Sequence, residues 1–583
     1  MGEIRFNPVV STAAILIIWI FVGICAHFQD EVPFKAWRGW IVDNFTWLYI
    51  GVVDVFAVFA LVLYFSKYSD LKLGKDDDKP EFSDPTWFMM LFACGIGTGL
   101  FFFGVAEPLF HYTGGNRYSA DPTRPDNKLA QDAMNLTLYH WGIHGWIVYS
   151  LVGLLLAMLS FREGLPMTMK SCFYPLIGDR VFGWMGDLID VTSIITTLFG
   201  VCTSLGLGTR QLNAGLHILN SDIPNDDVTV QVIIIWCITA VATISVVTGV
   251  GVGIRRLSET CFLVGMFLML VALFMDNTFY ILNLYVQSIG YYFQNILQLG
   301  FHTDAFEQLG PASGFEDRGR WVPPTAEDSD GPENWMDSWT MFYWGWWISW
   351  CPFVGMFIAK ISKGRTIKQF INGTLTAPII YTFLWLVIFG GAGIRQERMA
   401  ANAGLCCPDE KGWFLNSTAL NDTVNSRVDP TDLLVPESSY WMCQDDGKCG
   451  TCAKSVLTAK GNMSMTYEDF VNEYISLASD FGSVLTDRSL SRLSCHSTEQ
   501  MWFDVMRSYK GIGEFLSMFS LIGIVLYFVT SSDSGSLVID CLSANGDPDP
   551  PTIQVCHPIS HNFEMWLSKT FSLSLNFSVC SGL

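Results

Sequence analysis

The chain has 583 residues, of which 50% are hydrophobic, 14% aromatic and 15% charged, with a formal net charge of −21. Apolar residues in that proportion, gathered into blocks of about 20, exclude a soluble domain and describe an all-α polytopic membrane protein. The acid sits in loops and in one hydrophilic insert, so the charge singles out no partner, and no nucleic-acid contact is expected.

Ten spans are expected, at residues 9–28, 45–65, 87–105, 138–160, 189–207, 230–252, 260–284, 339–359, 374–394 and 515–530. The first follows a short polar start with no small-residue cleavage site, which reads as a retained helix rather than a signal peptide. Lys67, Lys72, Lys75, Lys79, Arg162, Lys170, Arg180, Arg255, Arg256, Lys360, Lys363, Arg365 and Lys368 fall in alternate loops, which places those loops and the N-terminus in the cytoplasm. The segment 396–509 is then extracellular. It carries six cysteines (Cys406, Cys407, Cys443, Cys449, Cys452 and Cys495) and glycosylation sequons at Asn416, Asn421 and Asn462. An even cysteine count with sequons predicts a disulfide-stapled glycoprotein subdomain and a plasma-membrane location reached through the secretory pathway. Zinc is not expected, because the Cys449–Cys452 pair has no second pair and no His at ligand spacing.

In the third span the run FACGIGTGLFFFGVAEP alternates Gly95, Gly97 and Gly99. Glycines at this spacing weaken a helix, and an unwound stretch frees carbonyls that can bind an ion or a substrate. The other reading is a helix-packing face, but a spacing of two does not stripe one face. Glu107, next to Pro108, marks the outer end of the span, with a proton-carrying role as the alternative. In the fourth span Trp141, Trp146 and Tyr149 lie on one side of a helix, and His140 and His144 are i, i+4 neighbours that either pack or bind a metal. Arg210, near the end of the fifth span, either snorkels to the interface or reaches inward as a built-in cation. In the tenth span, Thr530 and Ser531 offer hydroxyls suited to a hard ion such as Na+, or to back-bonding, and Asp533 follows.

The eighth span places five tryptophans within twelve residues: Trp339, Trp344, Trp346, Trp347 and Trp350. Trp346, Trp347 and Trp350 share a broad helical face. Either these rings form a belt at the lipid headgroups or they form a dry site for an organic cation. The rings run from one end of the span to its middle, which favours the site. A quaternary ammonium has no donor to offer, so indole faces are its natural receptor, worth ~2 kcal/mol each when desolvated.

Together these motifs resemble the betaine/choline/carnitine transporter family. The residues that carry the resemblance are GIGTGLFFFGVAEP, HWGIHGWIVY, FGVCTSLGLG, WTMFYWGWWISWCPFVGMFIAKISKGRTI and VTSSDSGSL. The resemblance implies a leucine-transporter-like inverted-repeat fold with two extra N-terminal helices and a substrate site at mid-membrane. It divides the chain into peripheral helices (1–86), a first repeat (87–300), the start of a second (301–395), the insert (396–509), a third helix of that repeat (510–541) and a tail (542–583). The tail lacks an apolar block, so the last two family helices are expected to be missing and transport by this form to be poor.

By the same resemblance, Trp141, Trp146, Tyr149 and Trp347 look like an aromatic box for a trimethylammonium group, with Trp346 and Trp350 as neighbouring transit residues. A first Na+ site maps onto the backbone near Ala93 and Ile96, the Tyr527 carbonyl, and the hydroxyls of Thr530 and Ser531. A second maps onto Thr197 and Phe353, but Val201 stands where another hydroxyl is expected. Gly99 stands where proton-coupled choline carriers tend to have Asp, which favours a zwitterion such as glycine betaine. Membrane lipid is the surrounding partner and a homotrimer the assembly suggested by analogy. Na+ is the only coupling species expected, with no cofactor. An exchanger without Na+ and a non-transporting subunit are the competing functions. No enzyme is expected, because no nucleophile–base pair is visible and GIGTG lacks the strand context of a dinucleotide loop.

Overall fold

A computed structural model describes residues 7–28, 34–113, 125–247, 253–305, 335–402 and 493–547. Among the described residues the chain is helical, apart from one isolated bridge between Lys72 and Thr366. Among the described residues, eight helical segments are long and apolar enough to cross a membrane.

Helices α1 (Pro8–Phe28) and α2 (Phe34–Phe65) come first. They lie at the rim: only 28% and 22% of their apolar windows are buried by protein, and Trp19, Trp47 and Val62 face outward. Lipid is the solvent that such faces require. A broken rod follows, α3 (Asp84–Ile96) and α4 (Gly99–Tyr112). The break falls at Gly97, whose backbone (φ 51°, ψ −155°) is one that a residue with a Cβ adopts only under strain. Thr98 then starts α4, its carbonyl accepting from Phe101 N at 3.0 Å.

A second break falls where the sequence pattern gives one continuous span. Helix α5 (Asp126–Trp141) ends at Gly142, and α6 (Ile143–Ala157) begins beyond it. The Tyr292 hydroxyl takes the amide N–H of Ile143 at 3.0 Å and leaves no room for a side chain at Gly142. That partner is 149 residues away in sequence, which is why local pattern misses the break.

Helix α7 (Trp184–Leu219), at 36 residues, is much longer than its apolar core. Helices α8 (Val228–Val247), α9 (Arg255–Met275) and α10 (Thr278–Gly300) follow. The span expected at 260–284 therefore stops at Met275. Asp276 is extended, and Asn277 caps α10 by accepting from Tyr280 N. Helix α11 (Phe342–Lys360) is the tryptophan-rich helix, and α12 (Ile367–Trp385) opens with a capping box of Thr366 and Gln369. A π-turn at Leu386–Gly390 joins α12 to α13 (Gly391–Asn402). After the insert come α14 (Thr498–Arg507) and α15 (Gly513–Ser543).

Two expected boundaries move. The ends of the insert belong to the membrane domain: α13 runs to Asn402, and Trp502 of α14 is fully buried, stacked on Trp385 at 5.3 Å. The rest of the insert, its sequons included, lies outside the described residues, as does the tail from 548. Helix α15 continues past Thr530 because the polar run Ser531–Ser536 is buried among α7, α8 and α11 rather than ending the span.

The core is the packing of α6 against α11, with α7 against α15 beside it. Arg365 is buried below it, its guanidinium 3.7 Å over the Trp87 ring. It donates to Asp84 Oδ1 at 2.7 Å and to the Phe82 carbonyl at 2.9 Å. Replacing Arg365 with Ala removes the stack and both hydrogen bonds, with an expected cost of about 2 kcal/mol. A lower melting temperature of the detergent-solubilised protein checks this. Arg365→Lys should recover less than half, because an ammonium lacks the planar fork.

Candidate functional site

Helical period places Trp146 and Tyr149 on one face of α6, while Trp141 reaches the same region from the last residue of α5, across the Gly142 break. Helix α11 presents Trp347 opposite. These four rings, with Gly95 and Gly145, line a small cavity. The Trp141 and Trp347 centroids are 5.1 Å apart with planes at 71°. Tyr149 stands edge-on to Trp146 (5.7 Å, 87°) and to Trp347 (6.3 Å, 82°). All four rings are buried.

Trp346 and Trp350 stand behind this cavity rather than around it. Trp346 stacks on Trp347 at 4.9 Å and 20°, and Trp350 meets Trp346 edge-on at 5.7 Å. The glycines take the ring edges. A Cβ on Gly95 would lie 2.7 Å from Trp146, and one on Gly99 would lie 2.8 Å from both Trp141 and Trp346. One on Gly97 would lie 3.1 Å from Trp350 and from Ser531 Oγ. The alternating glycines thus do two things: one breaks the helix, and all three let indoles rest on bare backbone. Gly145, under Trp347, and Gly200, under Trp350, serve the same purpose and were missed in the sequence reading.

Hydrogen bonds fix the rings. Trp347 Nε1 donates to the His140 carbonyl at 3.0 Å, and Trp141 Nε1 to Glu107 Oε2 at 2.8 Å. Glu107 does not mark an exposed helix end; it is fully buried in α4. His140 and His144 do not converge. His140 Nδ1 meets Glu107 Oε1 at 2.6 Å, whereas His144 Nε2 meets Asp54 Oδ1 of α2 at 3.0 Å. Ligand atoms of Glu107, His111 and His140 come within 4.8 Å of one another. The direct Glu107–His140 hydrogen bond occupies the line a metal ion would need. Arg210 does not enter the cage either: it pairs with Glu499 of α14 at 3.1 Å and Asp226 at 3.6 Å.

Hard oxygens gather beside the Gly97 break. Thr530 Oγ1 and Ser531 Oγ both reach the Tyr527 carbonyl, at 2.9 and 3.3 Å, and all three residues are buried. Ala93 is buried on α3, whose last residue is Ile96. Both hydroxyls bond to a carbonyl of their own helix, the back-bonding that the sequence also allows, and the three oxygens are of the kind a small hard cation takes. Thr197 is fully buried and its hydroxyl finds no hydrogen-bond partner among the described residues. Phe353 is buried against Trp350 at 4.9 Å, and Val201 packs toward Gly535 and contributes no oxygen.

The family model for betaine/carnitine/choline transporters matches residues 9–410 and 478–557. The chain belongs to this family. It is 39% identical over 396 residues to the glycine betaine transporter OpuD of Bacillus subtilis, covering 68% of this chain and 72% of that protein. It is 38% identical over 408 residues to the osmo-dependent choline transporter BetT2 of Acinetobacter baylyi, covering 69% and 54%. It is also 38% identical over 397 residues to the high-affinity choline transport protein of Escherichia coli, covering 67% and 54%. The chain therefore spans about half the length of the latter two relatives.

Crowding at the glycines makes a direct prediction. Gly99→Ala would place a methyl 2.8 Å from two indoles. Its expected cost is ~1–3 kcal/mol of overpacking. Gly97→Ala adds backbone strain of ~1–2 kcal/mol at its positive φ. Thermal unfolding followed by intrinsic tryptophan fluorescence checks both, and unchanged spectra and melting temperatures would contradict the packing described.

Proposed function

We propose that the chain is a secondary active transporter of a quaternary-ammonium compatible solute, glycine betaine or a related zwitterion, coupled to Na+ across the plasma membrane. The observation that carries this reading is the cavity lined by three indoles, one phenol and two glycines, with no charged side chain in its wall. Such a wall suits a methylated onium head that can donate no hydrogen bond. The N-terminal end of α4 begins at Gly99, against Trp141 and Trp346. Its positive dipole end suits the carboxylate of a zwitterion, which choline lacks. The names of the relatives agree in class: they are glycine betaine and choline transporters.

Thr530, Ser531 and the Tyr527 carbonyl beside the break support Na+ coupling, because one ion there would bridge α15 to the hinge of the broken helix. Val201 supports a single such ion over two. Substrate in the cage and ion at the hinge would then act on the same joint, which is the physical basis for coupled alternating access.

Uptake of labelled glycine betaine, choline, carnitine and dimethylsulfoniopropionate into proteoliposomes, with and without a Na+ gradient, tests this reading. Betaine uptake should exceed choline uptake and should vanish without Na+. Trp347→Ala should raise the KM for betaine more than tenfold, the equivalent of about 1.4 kcal/mol or more. Thr530→Ala and Ser531→Ala should raise the Na+ concentration for half-maximal uptake while leaving the cage intact. Gradient-independent exchange would overturn the coupling. Absence of both binding and flux would overturn the transporter reading.

A further inference from the structure

The hydrogen bonds that hold the cage converge on one carboxylate. Glu107 Oε2 accepts from Trp141 Nε1 at 2.8 Å and from the Tyr343 hydroxyl. Glu107 Oε1 meets His140 Nδ1 at 2.6 Å and faces His111 Nε2 at 3.5 Å. His140 is held at its other ring nitrogen by Thr340 Oγ1 at 3.1 Å, and its own carbonyl takes the Trp347 N–H. Two adjoining walls of the cage, Trp141 and Trp347, thus hang from the Glu107–His140 unit. Tyr343 extends the unit into α11, stacking on His140 at 4.7 Å and on Trp346 at 6.1 Å.

A carboxylate with no solvent contact is costly unless every lone pair is used. Here donors from α4, α5 and α11 surround it. A plain structural tie between helices would not require a charge, since an amide or a hydroxyl could bridge the same gap. What a charge adds is polarisation. A hydrogen bond from an indole N–H to a carboxylate is charge-assisted, and the electrons it pushes back into the ring strengthen the negative π face that a cation meets.

We propose that Glu107 is a positioning residue for the aromatic cage: it sets the plane of Trp141 against the edge-on Trp347 and polarises that indole toward the onium head. The inference rests on the cage being the substrate site. Glu107 itself lies outside the cavity wall.

The test uses the full chain in proteoliposomes, with glycine betaine uptake and thermal stability measured on the same preparations. Glu107→Gln keeps the shape and removes the charge. It should raise KM by about tenfold while changing kcat by less than about threefold, and Glu107→Asp should recover part of the loss. Trp141→Phe removes the N–H donor but keeps an aromatic face. Adding Glu107→Gln to Trp141→Phe should raise KM by less than about twofold further, because the two act through one bond. Equal effects of Glu107→Gln with and without Trp141 would overturn the proposal, as would a fall in kcat and melting temperature at constant KM. If Glu107→Gln does not fold, Trp141→Phe alone decides: an unchanged KM overturns the proposal and a raised one supports it. Wild-type protein that neither binds nor moves any onium compound would instead overturn the cage reading, a separate and recognisable failure.

Discussion

Everything at the centre of this molecule depends on large flat rings meeting backbone that carries no side chain. An indole edge can approach a helix axis only where Cβ is absent. Gly95, Gly97 and Gly99 on the broken rod, Gly145 on α6 and Gly200 on α7 provide five such places around Trp141, Trp146, Trp346, Trp347 and Trp350. The tryptophan helix and the glycine break are therefore one device. Without the glycines the rings would be pushed apart. Without the rings, glycine-rich helices would leave voids in a core that must be close-packed.

The same economy appears in how the membrane domain handles charge. Ionisable groups at depth are expensive, and several of the buried ones here meet specific partners. Glu107 is surrounded by His140, Trp141 and Tyr343. Asp54 of α2 meets His144, tying a lipid-facing rim helix to the core. Lys170 meets Asp190 at 3.0 Å near the start of α7. These contacts join segments far apart in sequence, and they specify which helix lies beside which more sharply than apolar packing does.

Burial around the cage extends to the hinge of the broken helix. All four lining rings are buried, and Trp502 of α14 stacks over Trp385, whose Nε1 donates to the Leu100 carbonyl at the start of α4. A segment read from composition as part of a hydrophilic insert thus reaches down to the hinge of the broken helix.

Sequence alone determined the class, most of the helices, and which aromatic residues belong together. Apolar blocks of membrane length and the 3.6-residue period are local properties, so Trp146 with Tyr149, and Trp346 with Trp347 and Trp350, could be grouped by counting along the chain. The weakness of the helix at Gly95–Gly99 was legible for the same reason. Tertiary structure alone decided the rest. The break at Gly142 exists because Tyr292 caps Ile143 from another helix, and α15 runs on past Thr530 because its polar residues are covered by neighbours. Glu107 looked like a rim acid until Trp141 and Tyr343, 34 and 236 residues away, were found hydrogen-bonded to it. Partners at that separation leave no periodic trace in a sequence, because what joins them is the packing of helices and not the order of residues along any one of them.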